Sequence, residues 1–217
     1  FDPEWFVTSN LVSPRVLLII RLLLFMFALG TLIAMFVANS YRFFYYMTCW
    51  SFFGLTIYFG LATYVSARYC SGPLRYTELA NPLYRASSLT RAGYWFLYES
   101  MVTFHLLVPI IYWSLLRDTF ITSVPLYIYT GLASHAADLA VIAVEVLLNR
   151  QRLQLSHIIV PLLIMALYLG LAYTVWGARG IFVYPFLNFQ RLHGWVAAIM
   201  LALVVFCSVL FLFQYVV

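Results

Sequence analysis

The chain has 217 residues, 65% of them hydrophobic and 9% charged, with a mean hydropathy of +0.95. A soluble domain carries about 25% charged residues, so soluble classes are excluded and a single transmembrane domain is expected over residues 1–217. The net charge of +5 comes from arginine alone, and the arginines are scattered, nearly all in separate loops and without a basic run, which excludes a nucleic-acid partner.

Six apolar runs follow one another at about 15–38, 43–67, 91–116, 124–148, 155–177 and 191–217. A spanning helix needs roughly 20 mostly apolar residues, and every run reaches that length. The runs are continuous rather than alternating, so helices and not barrel strands satisfy the backbone in hydrocarbon. The expected fold is all-α: a polytopic membrane protein built as a bundle of six transmembrane helices.

The first run opens at Ser13-Pro14, a helix start in which proline lacks a donor at no cost. The second carries Thr48 and Cys49 near its beginning. The longest connection, 68–90, holds Ser71-Gly72-Pro73 and Asn81-Pro82, which are turn formers. Pro109 and Pro161 fall inside spans three and five and are expected to kink them, because neighbouring helices re-satisfy the freed carbonyls. Span four opens at Ser123-Val124-Pro125. Cys49 and Cys207 lie within spans and Cys70 in a loop, which matches neither a zinc pattern nor a disulfide framework. No metal and no cofactor are expected.

Alternation of the spans puts Arg15, Arg68, Arg75, Arg85, Arg91, Arg150 and Arg152 on the side of both termini. Arg42, Arg117, Arg179 and Arg191 fall on the other side. This asymmetry predicts cytoplasmic termini, in the endoplasmic reticulum or the plasma membrane.

Ionisable groups inside spans are functional candidates by default. They are Arg21, Glu99, His105, His135, Asp138 and Glu145. At 1.5 Å per residue, His135 lies about 16 Å and Thr48 about 8 Å from the side opposite the termini. A threonine hydroxyl beside an imidazole is the minimum for a nucleophile with a general base. The competing reading is a hydroxyl bonded to its own helix and a histidine bonded within the core. Asp138, one turn from His135, is placed to orient that imidazole or to pair with an arginine on another helix. Glu145 is expected to pair with Arg21, Arg150 or Arg152, and Glu99 to have a similar structural role. His105 and His135 match in depth, which also admits a single haem between them. A non-catalytic subunit of a membrane-protein complex, a homo-oligomer or a lipid-binding protein is a further reading.

Three motifs carry a resemblance. Thr48 is followed eleven and twelve residues later by Phe59-Gly60, His135 is followed ten residues later by Glu145, and Gly180-Ile-Phe-Val-Tyr-Pro-Phe-Leu187 precedes the last span. In order and spacing they resemble the androgen-induced protein family, which includes the androgen-dependent TFPI-regulating protein, and its fungal relatives. The resemblance implies a six-span membrane hydrolase that cleaves fatty acid esters of hydroxy fatty acids. It implies Thr48 and His135 as the catalytic pair and a membrane lipid as substrate. Ser51, Ser134, Tyr184 and His105 are candidates for substrate or oxyanion contacts. The chain departs from the family at Leu132, where a histidine is usual, and at Asp138, where an apolar residue is usual.

Overall fold

The computed structural model describes residues 2–117 and 123–216. Helices account for all the regular structure among them, and six helices are long and apolar enough to cross a membrane. We label these α1 (Pro14–Tyr45), α2 (Met47–Cys70), α3 (Ser88–Leu116), α4 (Pro125–Leu148), α5 (Leu155–Arg179) and α6 (Trp195–Val216). The chain is thus an integral membrane protein with a six-helix bundle. Val217, the last residue of the expected sixth span, lies outside the described residues.

The helix boundaries follow local chemistry. Ser13 Oγ accepts a hydrogen bond from the Val16 N–H, with Pro14 in the first turn, and Ser87 Oγ does the same for Thr90 at the start of α3. Such caps satisfy donors that have no partner within the helix. Gly180 ends α5 in the left-handed conformation, at φ 69°, which glycine adopts without a Cβ clash. The sixth span begins at Trp195 rather than 191, because Asn188 caps a separate short helix, Phe189–Leu192. α2 runs through Cys70, so that cysteine ends a helix instead of lying in a loop. Pro161 sits in the first α-helical turn of α5, behind a short 3-10 turn. Its missing N–H is harmless there, and the expected kink has no need to form. Pro109 does interrupt α3, whose last turn, Tyr112–Leu116, widens to a π turn.

α3 is the central helix, packing against α2, α4, α5 and α6, while α1 lies along α2 and α4. Gly54 lets α2 approach α3 so closely that a Cβ there would meet Met101 Sδ at 2.8 Å, and Phe25 of α1 lies over Gly60. Small residues at such crossings allow the close packing that drives helix association in lipid.

Six spans place both termini on one face, here called proximal. On that side Arg21 and Glu145 form a fully buried ion pair. Arg21 Nε donates to both carboxylate oxygens at 3.1 Å, Tyr58 Oη donates to Oε1 at 2.7 Å and Asn149 Nδ2 donates to it at 3.2 Å. Arg21 Nη1 also donates to Ser66 Oγ and to the carbonyl of Phe6. Phe6 packs its ring 5.0 Å from that of Tyr94, and Asn81 Nδ2 donates to the Pro3 carbonyl. The N-terminal segment is thereby folded into the proximal end of the bundle. Glu99 lies near the same end, bound to His157 Nδ1 at 2.7 Å and to the Gln154 N–H at 2.6 Å. The partner of Glu99 is therefore a histidine and a backbone amide rather than an arginine.

Candidate functional site

At the opposite, distal side two π turns face each other. One is the Tyr112–Leu116 turn of α3, and the other is Ala133–Ala137 in the middle of α4. π turns cluster at functional sites because they re-aim side chains within a helix. Here they bring the rings of Tyr112 and His135 into a parallel stack, 3.6 Å between centroids and 4° between planes. Trp113 Nε1 donates to the His135 carbonyl at 2.6 Å. The imidazole is buried, and no described residue bonds its Nδ1. Among the described residues, stacking rather than a carboxylate holds the ring.

Thr48 is the second residue of α2, and the preceding Tyr46 is extended. The chain turns into the helix over two tyrosine hydroxyls. The Met47 N–H donates to Tyr184 Oη at 3.0 Å, and Tyr168 Oη donates to the Tyr45 carbonyl at 2.7 Å. Tyr184 also interacts with the Thr48 side chain. Burial pushes the Tyr184 phenol up to about 12, with the contacts to Tyr168, Met47 and Thr48 acting in the other direction. It therefore carries its proton at neutral pH. The first N–H groups of a helix lack intrahelical acceptors and lie at the positive end of its dipole.

Thr48 and His135 line one cavity of about 440 Å³ at the distal side, together with Ser134, Tyr184, Thr130 and Cys49. A second cavity of about 200 Å³ lies between α3, α5 and α6 and has almost entirely apolar walls. Thr48, Tyr112, Leu116 and Tyr184 belong to both. The threonine thus stands where a polar chamber meets an apolar groove.

The remaining expected site residues divide. Ser134 and Tyr184 reach the polar chamber, although Ser134 Oγ donates to its own helix at the Thr130 carbonyl, 2.7 Å away. Ser51 is buried behind Thr48, and its hydroxyl donates to the Thr48 carbonyl at 3.0 Å. Asp138 does not orient His135. Its Oδ2 lies 2.9 Å from His105 Nδ1, and His105 Nε2 donates to the Ser51 carbonyl at 3.2 Å. The physical reason is the π turn between them. It holds more residues per turn than an α-helix, so Asp138 is rotated away from His135 and toward α3. His105 then has no ring nitrogen left for an oxyanion or for haem iron. Because Nε2 gives its proton to a carbonyl, Nδ1 and the carboxyl share a single proton.

These bonds tie three helices together. Asp138 on α4 holds His105 on α3, which holds Ser51 on α2, one turn after Thr48. Asp138→Ala is expected to strand the buried Nδ1 and to destabilise the bundle by about 1–3 kcal/mol, with Asp138→Asn losing less. Thermal unfolding in detergent checks both.

Tyr112, Trp113 and Cys49 join the site without having been singled out in the sequence. Pro109, three residues before Tyr112, is the one signal that pointed toward a local departure from α geometry. Comparison with protein-family models, with curated proteins and with solved structures found no match for this chain.

Proposed function

We propose that the protein is an intramembrane lipid ester hydrolase in which Thr48 is the nucleophile and His135 the general base. The observation that carries this reading is the shared cavity. It brings a hydroxyl and an imidazole from helices far apart in sequence to one chamber, beside an apolar groove. The resemblance around Thr48, His135 and Tyr184 supports it and suggests fatty acid esters of hydroxy fatty acids as substrates. The arginine asymmetry supports cytoplasmic termini, which puts the chamber toward the opposite side of the membrane.

The chemistry runs in two halves. Thr48 Oγ attacks the ester carbonyl carbon while His135 takes the hydroxyl proton. The carbon–oxygen bond to the alcohol breaks, and His135 returns the proton to the departing alkoxide. Water then attacks the acyl-threonine with His135 again as base, which releases the fatty acid and restores Thr48. The protonated Tyr184 phenol and the Thr48 N–H, the one amide in the first turn of α2 not already given to Tyr184 or to the Tyr46 carbonyl, supply donors for the tetrahedral oxyanion.

One observation favours a second reading, a lipid-binding protein or complex subunit without turnover. Asp138 serves His105, and among the described residues no other carboxylate bonds His135. A fluorophosphonate probe applied to the purified protein decides between them. We expect a covalent adduct on Thr48, found by peptide mass spectrometry and lost in His135→Gln. No adduct, or one on Cys49, overturns the hydrolase reading.

A further inference from the structure

We infer that the groove between α3, α5 and α6 is the acyl-chain subsite of this centre, filled from the bilayer between α5 and α6, while the alcohol leaves through the polar chamber. The inference rests on the hydrolase reading and assigns its two halves of substrate to two different cavities.

Three observations carry it. The groove walls are hydrocarbon except where they meet the site, at the hydroxyls of Thr48, Tyr112, Tyr168 and Tyr184. An ester whose chain lies in the groove therefore meets polar groups at one end only, the end where Thr48 stands. The groove also has depth. Along α3 it is walled from Leu116 at the distal side to Leu107, nine residues or about 14 Å further into the membrane. That extent suits an extended aliphatic chain and is excessive for a short acyl group.

Finally, Ala166 of α5 and Val204 of α6 wall the groove and are also exposed on the outer surface of the bundle. In a membrane that surface faces lipid, so a chain passes between the two helices without crossing water. The polar chamber differs in having a substantial polar share of its walls. Its walls include Asn39, Thr130, Ser134 and His135, and it lies at the distal ends of α1 to α4. Desolvating those groups under a hydrocarbon chain carries a penalty, so the chamber suits the alcohol and the incoming water.

The test is a series of p-nitrophenyl esters, from acetate and butyrate to laurate and palmitate, hydrolysed by the purified protein in detergent. Ala166→Phe narrows the groove where it opens to lipid. We expect it to lower kcat/KM for laurate and palmitate by about ten-fold or more, the scale of an apolar pocket contact, while acetate and butyrate stay within two-fold. Unchanged short-chain turnover also shows that the variant folds. Equal effects at all chain lengths overturn the groove assignment and leave the hydrolase reading standing. Absence of turnover by the native chain on every ester overturns both. Leu169→Ala, which widens the groove, separates a folding defect from a true result. A shift of preference toward longer chains supports the subsite, and an unchanged profile overturns it.

Discussion

Thr48→Ala is expected to lower kcat for ester hydrolysis by about a thousand-fold or more, on the scale at which loss of one member silences a catalytic group acting as a unit. The side chain is half-buried and sits in the first turn of α2. Its removal loses the contact with Tyr184 but leaves the Met47–Tyr184 and Tyr168–Tyr45 hydrogen bonds in place, and the expected change in stability is within about 1 kcal/mol. Loss of turnover with unchanged thermal unfolding is therefore the result that identifies a nucleophile. Thr48→Ser keeps the hydroxyl and is expected to retain measurable activity. His135→Gln should cost about a hundred- to ten-thousand-fold, the usual contribution of a positioned base. Combined with Thr48→Ala it should cost little more, because a base without its nucleophile has nothing to activate. Turnover by Thr48→Ala at the native rate sinks the assignment.

The largest effect on stability is expected at the proximal side. Glu145→Ala removes the acceptor for Arg21, Tyr58 and Asn149 at once. Breaking a buried ion pair from one side costs about 3–5 kcal/mol, because the other charge is left uncompensated. In hydrocarbon the stranded Arg21 guanidinium has no water to turn to. Glu145→Gln preserves an acceptor oxygen and should cost less.

The partner also holds the N-terminal segment through the Phe6 carbonyl. Arg21→Met is therefore expected to expose residues 3–13 to protease as well as to lower the unfolding temperature. The double variant Arg21→Met with Glu145→Leu should fall short of the summed single losses by up to about 3 kcal/mol, the coupling found between groups in one network. Detergent-solubilised thermal unfolding and limited proteolysis check the set. Independent, additive losses would show that the pair does not act as one unit.

Thr48 and Asp138 show how differently parts of the site were legible. Thr48 was readable because its depth follows from counting residues along an apolar run, and the same count set His135 toward the same side. That Glu145 pairs with an arginine was readable because so few partners exist in a span that charge pairing is nearly forced, but the structure alone chose Arg21 over Arg150 and Arg152. Asp138 was misread because the count assumed α-helical spacing through 133–137. Tyr112 was not singled out because an aromatic near a span end usually belongs to the interfacial belt, and nothing local reveals which ring it will stack on.

The sequence by itself determined the number of spans, their order and the helical form. Those depend on length, continuity of apolar residues and the need of every backbone amide for a partner in lipid. It also marked most helix ends, since caps and prolines act within a few residues. Only the tertiary structure decided which polar group meets which. Thr48 and His135 come from separate helices, His105 takes Asp138, and two cavities share the walls formed by Thr48, Tyr112, Leu116 and Tyr184. Those outcomes depend on the rotation and approach of whole helices, set by π turns and by glycines such as Gly54, and no local pattern of residues encodes an angle between distant helices.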